Sequence, residues 1–495
     1  MRIRVVPTAS GKHALQVVSK RSGTVNVHKH IGSYANDSEK ALLYKKARDF
    51  IQTHTGQMSF TDYLTSTSLA DITVTQSRPL FAYDLLSRCY DKLGFNRYPD
   101  SVIKDLVIAR LYHPASKRGL HEYIHESLGR QYSLRTIYRH LKNSLRKGIK
   151  ERFQEALIAF ARQDLGDSLR LVFYDVTTLY FDSQVKTALK DFGFSKDYRS
   201  VDTQIVIGLV VNRQGFPLYF DVFSGKTFEG HTLLAVIEDV RALLDTPGLI
   251  VVADAAMLSQ DNIDQLIAKG IKFIVGARLA NLPANLIDRI HAQLHKEDNN
   301  IAIFSYRSQR LICHYSDKRA HKDRSDRIRQ IERAKTIIDK PTRFTGRYRF
   351  VKKAKEPGFS INLELIEKAM KLEGVKGYIT NTDLDSQVVI ERYRDLWHIE
   401  NSFRITKSDL EARPIFHRLD ETIKAHMVLV FAGLAISKYL EQATGMSIKK
   451  VLQYSGRILT HTMINTKTGE KIDKETAIEN PHVQEIIEYL RAVGH

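Results

Sequence analysis

Cysteine, tryptophan and long apolar runs are scarce in this sequence. Cys89 and Cys313 are the two cysteines among 495 residues. They are too few for a disulfide scaffold or a cysteine-rich zinc module, and they suit a reducing compartment. The longest apolar run, Met427 to Ile436, is about half of what a bilayer-spanning helix requires. The first residues, MRIRVVPTASGKHAL, lack the apolar segment of a secretory signal. We therefore expect a soluble intracellular protein with no membrane partner.

Negative charge is also scarce. The chain has 56 Asp and Glu against 75 Lys and Arg, a formal net charge of +19 and a pI near 9.6. Such an excess favours a polyanionic partner, because basic side chains displace the counterions condensed on nucleic acid. Ribosomal proteins and proteins of membrane surfaces share this property, so charge alone does not decide the class.

The apolar pattern changes several times along a chain that is too long for one hydrophobic core. Short alternating runs lead into a helix from about Asp37, and helical periodicity follows over about 60–164. From about 169, a hairpin with its turn at 215–217 precedes strands that alternate with helices. Two helices, over about 386–407 and 421–441, complete the pattern. The fold class predicted is α/β with a mixed sheet.

Six divisions follow from these changes. The segment 317–356 is strongly basic, with fifteen Lys and Arg against six acids, and is interpreted as part of an insertion. The predicted divisions are a small N-terminal β/α unit (1–58), a helical DNA-binding region (59–164), the first part of the α/β core (165–284), a β-rich basic insertion (285–375), the second part of the core (376–445) and a C-terminal helical tail (446–495).

One helical pair has the pattern of a helix-turn-helix. The run GLHEYIHESLG predicts a helix that ends at Gly129, and Ser133 is placed to cap the next helix, LRTIYRHLKNSLRKG. In the second helix Arg135, Arg139 and Lys142 recur at helical spacing, away from an apolar stripe. Such a helix suits a DNA major groove. A solvated helix whose basic residues only keep it soluble has the same pattern.

Two aspartates stand in or beside apolar strands. Asp175 lies inside VFYDVTTLYF and Asp254 ends GLIVVAD. An ionised carboxylate in a buried strand is costly unless it is paired or binds a metal. For Asp254 the alternative is an ordinary strand end before a helix.

Further along, Tyr393, Glu400 and Lys407 are spaced by seven in ERYRDLWHIENSFRITKSDL. A single helix would present them on one face, since seven residues return within about 20° of the same direction. Charged lines of this kind also occur on solvated helices. Trp397, the only tryptophan, is interpreted as a core anchor of the helix rather than a platform for a DNA base.

Three carboxylates suit two-metal phosphoryl chemistry. Divalent ions about 4 Å apart activate the attacking oxygen and stabilise the leaving oxygen, and Mg²⁺ prefers oxygen ligands. We find no Cys/His zinc spacing, Walker loop or Gly-x-Ser-x-Gly elbow in the sequence.

Several ordered segments resemble a known family. They are FYDVTTLYF, GFSKD followed by TQIVIGLVV, FSGKTFEGHTLL, VADAAMLSQDNI and YRDLWHIENSFRITKSDLEARPIFH followed by AHMVLVF. From about 165 to 440 the chain resembles DDE transposases of bacterial insertion sequences, in the group with a β-rich insertion before the catalytic Glu. The resemblance implies a ribonuclease H-like core.

It also implies that Asp175, Asp254 and Glu400 are both the catalytic residues and the metal ligands. They would hold two Mg²⁺ ions, with Mn²⁺ able to substitute. The implied partners are double-stranded DNA, as terminal inverted repeats and as target, and a second copy of the chain in an active homodimer. The implied location is cytoplasmic and nucleoid-associated, in a prokaryote.

The related signature Tyr-x2-Arg-x3-Glu-x6-Lys is met by Tyr393, Glu400 and Lys407, but Leu396 stands at the Arg position. Arg394 and Arg404 are possible replacements, although neither has the expected spacing. The resemblance implies that Tyr393 and Lys407 contact DNA near the transposon end, and a purely structural role fits them equally well.

Two other functions remain open from the sequence. One is a metal-dependent nuclease without strand transfer, and the other is a non-catalytic DNA-binding protein.

Overall fold

The computed structural model describes residues 1–8, 11–21, 23–55, 71–193, 201–257, 259–339, 348–353, 359–466 and 468–494. Two compact units are present. One consists of Met1–Ser77 and His461–Lys474, and the other of Arg78–Thr460 and Glu475–His495. The boundary predicted between residues 58 and 59 lies outside the described residues, as do parts of the basic run 317–356 and most of the GFSKD segment.

The first part of the chain forms β1 (Arg2–Pro7), β2 (His13–Arg21), β3 (Thr24–Tyr34), α1 (Asp37–Thr55), β4 (Ile72–Arg78), α2 (Leu80–Lys92), α3 (Ser101–Tyr112), α4 (Lys117–Leu128), α5 (Leu134–Arg146) and α6 (Ile149–Gln163). The middle part forms β5 (Leu171–Tyr180), β6 (Gln204–Val211), β7 (Pro217–Ser224), α7 (Thr232–Leu244), β8 (Ile250–Ala253), α8 (Gln260–Ala268), β9 (Lys272–Ala277), α9 (Ala284–Gln293), β10 (Ile301–Tyr306), β11 (Gln309–Tyr315) and α10 (Asp317–Asp339).

The last part forms β12 (Val351–Lys353), β13 (Phe359–Ile361), α11 (Leu363–Lys371), β14 (Val375–Thr380), α12 (Ser386–Arg394), α13 (Trp397–Arg404), a π-helical turn (Ile405–Asp409), α14 (Asp420–Thr444), α15 (Ile448–Ser455), β15 (Thr460–Asn465), β16 (Lys471–Glu475) and α16 (Pro481–Ala492).

The smaller unit contains two three-stranded sheets, β1-β2-β3 and β16-β15-β4. In the first sheet all neighbours are antiparallel. Helix α1 packs on one face, where Leu15, Val17, Tyr34 and Ala47 form a small core. The predicted small β unit with a following helix is therefore present.

The larger unit is built on an eight-stranded sheet in the order β10-β11-β14-β9-β8-β5-β6-β7. The pairs β5/β8 and β8/β9 are parallel, and the other pairs are antiparallel. Strand β6 is buried along its whole length, as expected for an inner strand covered on both faces. The predicted α/β fold with a mixed sheet is confirmed.

Two segments differ from the prediction. In its described residues the segment 285–375, predicted as a β-rich insertion, is more helical than expected: β10 and β11 extend the main sheet through β14, and the 23-residue helix α10 follows them. Its sequence, rich in Arg, Lys and Glu, favours a helix. Likewise 446–495 is not wholly helical, since β15 and β16 lie between two helices.

The predicted pair of short helices is confirmed at residue level. Helix α4 ends at Gly129, which adopts a left-handed conformation with φ of 68°. The side chain of Ser133 caps α5 by accepting a hydrogen bond from the backbone N–H of Thr136 at 3.1 Å. Both caps were readable from sequence because they satisfy backbone groups within one turn of the helix end.

Helix α14 is the central apolar helix of the larger unit. By length and composition it is the one helix among the described residues that could cross a bilayer, but 89% of its apolar window is buried inside the protein. Phe431 packs against Phe220 of β7 with ring centroids 4.6 Å apart. We interpret α14 as a core helix.

A buried basic cluster joins the helical region to the chain beyond the π-helical turn. The Arg110 guanidinium donates hydrogen bonds to the carbonyl oxygens of Leu410 at 2.8 Å and Glu411 at 2.7 Å. Lys117 Nζ lies 3.4 Å from His426 Nδ1, and His426 Nε2 lies 3.4 Å from a backbone carbonyl oxygen of residue 412. A neutral His426 protonated on Nε2 satisfies both contacts.

Candidate active site

The two predicted aspartates lie on adjacent parallel strands. Tyr174 of β5 pairs with Ala253, the last residue of β8. The next positions along the two strands are Asp175 and Asp254. Because neighbouring strands are about 4.8 Å apart and side chains alternate between faces, we infer that both carboxylates lie on the same face of the sheet, at the point where β8 ends. Asp175 is half-buried and Asp254 is exposed.

Asp254 is held by two hydrogen bonds. Its Oδ1 accepts one from the backbone N–H of Ala255 at 2.7 Å and one from the Tyr393 hydroxyl at 2.7 Å. Burial, together with the neighbouring Asp254 carboxylate, raises the pKa of Tyr393. The phenol is therefore neutral at ordinary pH and acts as a donor. It fixes one oxygen of Asp254 and leaves the other for a ligand.

Gly276 makes room for this tyrosine. A Cβ at Gly276 would stand 2.4 Å from the Tyr393 hydroxyl oxygen and 3.2 Å from the Cβ of Ala255. The first distance is far inside van der Waals contact. Only glycine at this place in β9 therefore allows the phenol to reach Asp254.

Lys376 is a site residue that the sequence did not reveal. It lies on β14, with its ammonium 4.6 Å from the centre of the Tyr393 ring. Burial and the Arg319 guanidinium lower the pKa of Lys376, whereas the carboxylates of Asp254 and Glu400 oppose that shift. The carboxylates of Asp254 and Glu400 therefore both favour the charged form of the Lys376 ammonium. The sequence signal, a lysine in a strand 24 residues before Glu400, was too weak to find it.

Glu400 lies in the first turn of α13 and is exposed. The single helix predicted over 386–407 is wrong, because α12 ends at Arg394, α13 begins at Trp397 and a π-helical turn starts at Ile405. The spacing by seven of Tyr393, Glu400 and Lys407 therefore does not make one line. The side chain of Tyr393 is 7% exposed and lies in the core.

Residues 396 and 397 differ in their exposure to solvent. Trp397 is 55% exposed and stacks on His398 with ring centroids 3.8 Å apart, so its interpretation as a core anchor is wrong. Leu396 is 7% exposed. A side chain at that position faces the core, which explains why an apolar residue is accommodated where the signature has Arg.

Of the two proposed replacements for that arginine, Arg394 has the more suitable surroundings. It is exposed, its guanidinium lies 3.5 Å from His314 Nε2, and it lowers the pKa of Lys376. Arg404 instead donates to Asn401 Oδ1 at 2.8 Å and lies 3.8 Å from Asp409. The side chain of Arg404 is thus held by residues close to it in the sequence.

A basic cavity of about 580 Å³ opens beside Ala255 and Tyr393. Among its described lining residues six are cationic and three are acidic. They are Arg278, Arg319, Arg327, Arg349, Lys368 and Lys376, with Asp323, Asp326 and Glu373. The excess positive charge suits a phosphate-bearing ligand.

The remaining predicted residues lie elsewhere. Arg135, Arg139 and Lys142 are exposed on α5, and Lys142 pairs with Glu421 at 3.2 Å. Lys407 lies in the π-helical turn. Asn262 is buried and donates to the Met257 carbonyl oxygen at 2.8 Å. It therefore supports the turn that follows Asp254.

Comparison with known proteins places this site in a family. The family model described as "Transposase DDE domain" matches residues 169–436. The chain belongs to the DDE transposase family. The matched range contains Asp175, Asp254 and Glu400.

Other comparisons give less. No curated protein sequence matches the chain. A solved structure, piggyBac transposase in a synaptic complex with hairpin DNA, is similar over 77% of this chain and 79% of that chain, with 9% sequence identity and a TM-score of 0.39.

The carboxylates of Asp175 and Asp254 are of the type that binds divalent cations. Within the described ranges, no three Asp, Glu, His or Cys side chains converge closely enough to form a ready-made metal cage. The adjacent ends of β5 and β8 nevertheless bring two carboxylates together, and carboxylate oxygens are the ligands that Mg²⁺ prefers. The side chains of Asp175 and Asp254 are therefore chemically suited to a divalent cation.

We expect Tyr393→Phe to lower the rate of DNA cleavage by about tenfold, because one hydrogen bond to the Asp254 carboxylate is lost. Gly276→Ala should lower it at least as much, since the new Cβ pushes the phenol away. Single-turnover cleavage rates measure both effects. In the Tyr393→Phe background Gly276→Ala should cost less, because the clashing oxygen is absent. Strictly additive losses would contradict this contact.

Proposed function

We propose that the protein is a DNA transposase that binds the ends of an insertion sequence, cleaves phosphodiester bonds there and transfers the 3′-OH ends to target DNA by two-metal-ion catalysis. The observation that carries the proposal is the register of Asp175 and Asp254 on adjacent parallel strands of a DDE domain. Glu400 belongs to the same domain. These three carboxylates would hold two Mg²⁺ ions, with Mn²⁺ able to substitute.

The bound ions would supply activation of the attacking oxygen and stabilisation of the leaving oxygen. In the first reaction water attacks phosphorus at the element's end, and the bond to the 3′ oxygen breaks to give a free 3′-OH. In the second reaction that 3′-OH attacks a target phosphodiester and displaces the target's own 3′ oxygen. The Tyr393 hydroxyl keeps Asp254 oriented in both reactions.

Positive charge around the carboxylates would hold the DNA backbone. Lys376 interacts electrostatically with Asp254, Glu400 and Arg394, and the cavity beside Tyr393 is lined by further cationic side chains. We propose that Tyr393, Arg404 and Lys407 lie near the DNA end. Arg135, Arg139 and Lys142 would contact DNA from α5.

The active complex is proposed to be a homodimer that bridges two transposon ends. The proposed location is the cytoplasm of a prokaryote, in association with the nucleoid.

A DNA joining assay tests the proposal. The protein is incubated with linear DNA from the flanks of its gene and a supercoiled target, in Mg²⁺ or in EDTA. Joined products that require Mg²⁺ are expected. Cleavage without joining would favour a metal-dependent nuclease, and metal-independent binding without any cleavage would favour a non-catalytic DNA-binding protein.

A further inference from the structure

Lys376 carries a half-buried ammonium that lies beside two tyrosine rings. Its Nζ is 4.6 Å from the centre of the Tyr393 ring and 5.7 Å from the centre of the Tyr378 ring. The two rings meet edge to face with their centres 5.0 Å apart. Within the described ranges of the chain, the ammonium makes no hydrogen bond and no ion pair. A cation that is partly removed from water without such a partner is costly, unless a ligand supplies the anion.

The charges around Lys376 add to this cost. Burial lowers the pKa of Lys376 most, and the guanidinium groups of Arg319 and Arg394 lower it further. The carboxylates of Asp254 and Glu400 favour the charged ammonium, although neither forms an ion pair with it. Three cations therefore act on one another with no acid in contact with Lys376. The binding of an anion relieves mutual repulsion of this kind.

The acids that line the neighbouring cavity of about 580 Å³ do not supply this anion. Each of the three acids among its described lining residues is paired with an arginine. The pairs are Asp323 with Arg319, Asp326 with Arg329 and Glu373 with Arg327.

A second group in the cavity wall also lacks a partner. The buried Oε1 of Gln330 makes no hydrogen bond within the part of the chain that the structure describes. Rotation of this amide by 180° exchanges its oxygen and its NH₂ group, so that Gln330 can donate to an anion. Lys376 and Gln330 thus both offer the cavity a donor that no acid of the protein uses.

We propose that Lys376, at the edge of this cavity, binds one backbone phosphate of the DNA strand beside the phosphate that is cut. The cavity begins at Ala255, the residue after Asp254, so a strand that crosses the carboxylates would run past it. An ammonium suits a single phosphate oxygen, because it is a compact charge whose three donors rotate freely. Such a contact positions the strand and reads no base.

The inference rests on the proposed function in taking DNA as the substrate. A free nucleotide offers the same phosphate chemistry, and the experiment separates these two sources. Binding is measured in EDTA, so the result requires neither cleavage nor joining. The two proposals can therefore fail separately.

The test couples Lys376 to single phosphates of the DNA. The full-length protein is titrated with fluorescent duplexes from the flank of its gene, in each of which one phosphate is replaced by an uncharged methylphosphonate. For the wild type, we expect replacement at one position to weaken binding about tenfold.

The variant Lys376→Met removes the ammonium and keeps a long, flexible side chain beside the tyrosine rings. It should bind the unmodified duplex about tenfold more weakly than the wild type. The methylphosphonate that weakens binding by the wild type should then cost nothing further, because the contact is already lost. Lys376→Arg keeps the charge, so the sensitivity to that phosphate should remain.

The matched control is Lys296→Met, the same chemical change at an exposed lysine between α9 and β10. We expect wild-type affinity and the wild-type pattern of sensitivity along the duplex. Circular dichroism melts of every variant verify that the protein is folded.

Three outcomes would overturn the inference. One is unchanged DNA binding by Lys376→Met. Another is weaker binding by Lys376→Met with the wild-type sensitivity to every phosphate, which would mean that Lys376 acts without touching the DNA backbone. The third is calorimetric binding of deoxythymidine 5′-monophosphate that requires Lys376, while no phosphate of the duplex is coupled to Lys376. That result would assign the cavity to a free nucleotide.

Discussion

Asp254→Asn is expected to lower Mg²⁺-dependent DNA joining by about 10³-fold, while DNA binding in EDTA is retained. The substitution removes the negative charge but keeps a side chain of the same size that can still accept from Tyr393 and Ala255. Ligand loss at a two-metal centre removes several kcal/mol of transition-state stabilisation, and each 1.36 kcal/mol is about a factor of ten in rate. Asp175→Asn and Glu400→Gln should behave in the same way.

The joining assay and a thermal melt are measured for each variant. Mn²⁺ binding, followed by electron paramagnetic resonance, gives a readout that does not depend on activity and should weaken in all three. The matched control is Asp261→Asn, the same chemical change at an exposed position of α8, which should leave joining unchanged. Wild-type joining by any triad variant would mean that its carboxylate is not a ligand, and Glu400 would be reconsidered first.

Acid is expected to destabilise the larger unit through its buried basic cluster. Burial and the Lys117 and Arg110 cations lower the pKa of His417 from 6.5 to about 3. Burial and the same two cations also hold the pKa of His426 well below its usual value. The unfolded chain therefore takes up these protons first. Stability that is fully present above pH 6.5 is lost as the pH falls toward 3.

For His417 alone the loss is about 1.4 kcal/mol for each pH unit in that window. A fall of two pH units would therefore remove an appreciable part of a total free energy of unfolding of roughly 5–15 kcal/mol. Urea denaturation at pH 7.0, 5.5 and 4.5, followed by circular dichroism, measures the free energy of unfolding. His417→Gln removes one titrating group, so its stability should fall less steeply with acid than that of the wild type.

The control for the acid experiment is His291→Gln on α9, where the histidine is exposed. It should follow the wild-type profile. If His417→Gln and the wild type lost stability equally between pH 6.5 and 4.5, protonation of His417 would not be linked to folding.

Local pattern was sufficient for part of the site. Asp175 was placed in a strand and Asp254 at a strand end from apolar runs alone, and Gly129 and Ser133 were identified as helix caps. Each of these features depends on residues within one turn or one strand of each other. Burial periodicity and capping act at that range, so the sequence expresses them directly.

The contacts that build the site were decided by the tertiary structure. Tyr393 reaches Asp254 across 139 residues. The ammonium of Lys376 interacts electrostatically with both acids, from a strand that the sequence did not connect with them. The break between Arg394 and Trp397 places Tyr393 in the core and Trp397 at the surface, against the regular helix expected from spacing. The addition of β10 and β11 to the main sheet through β14 was likewise not predicted. Pairings between distant segments depend on which elements pack together, and a local pattern does not carry that information.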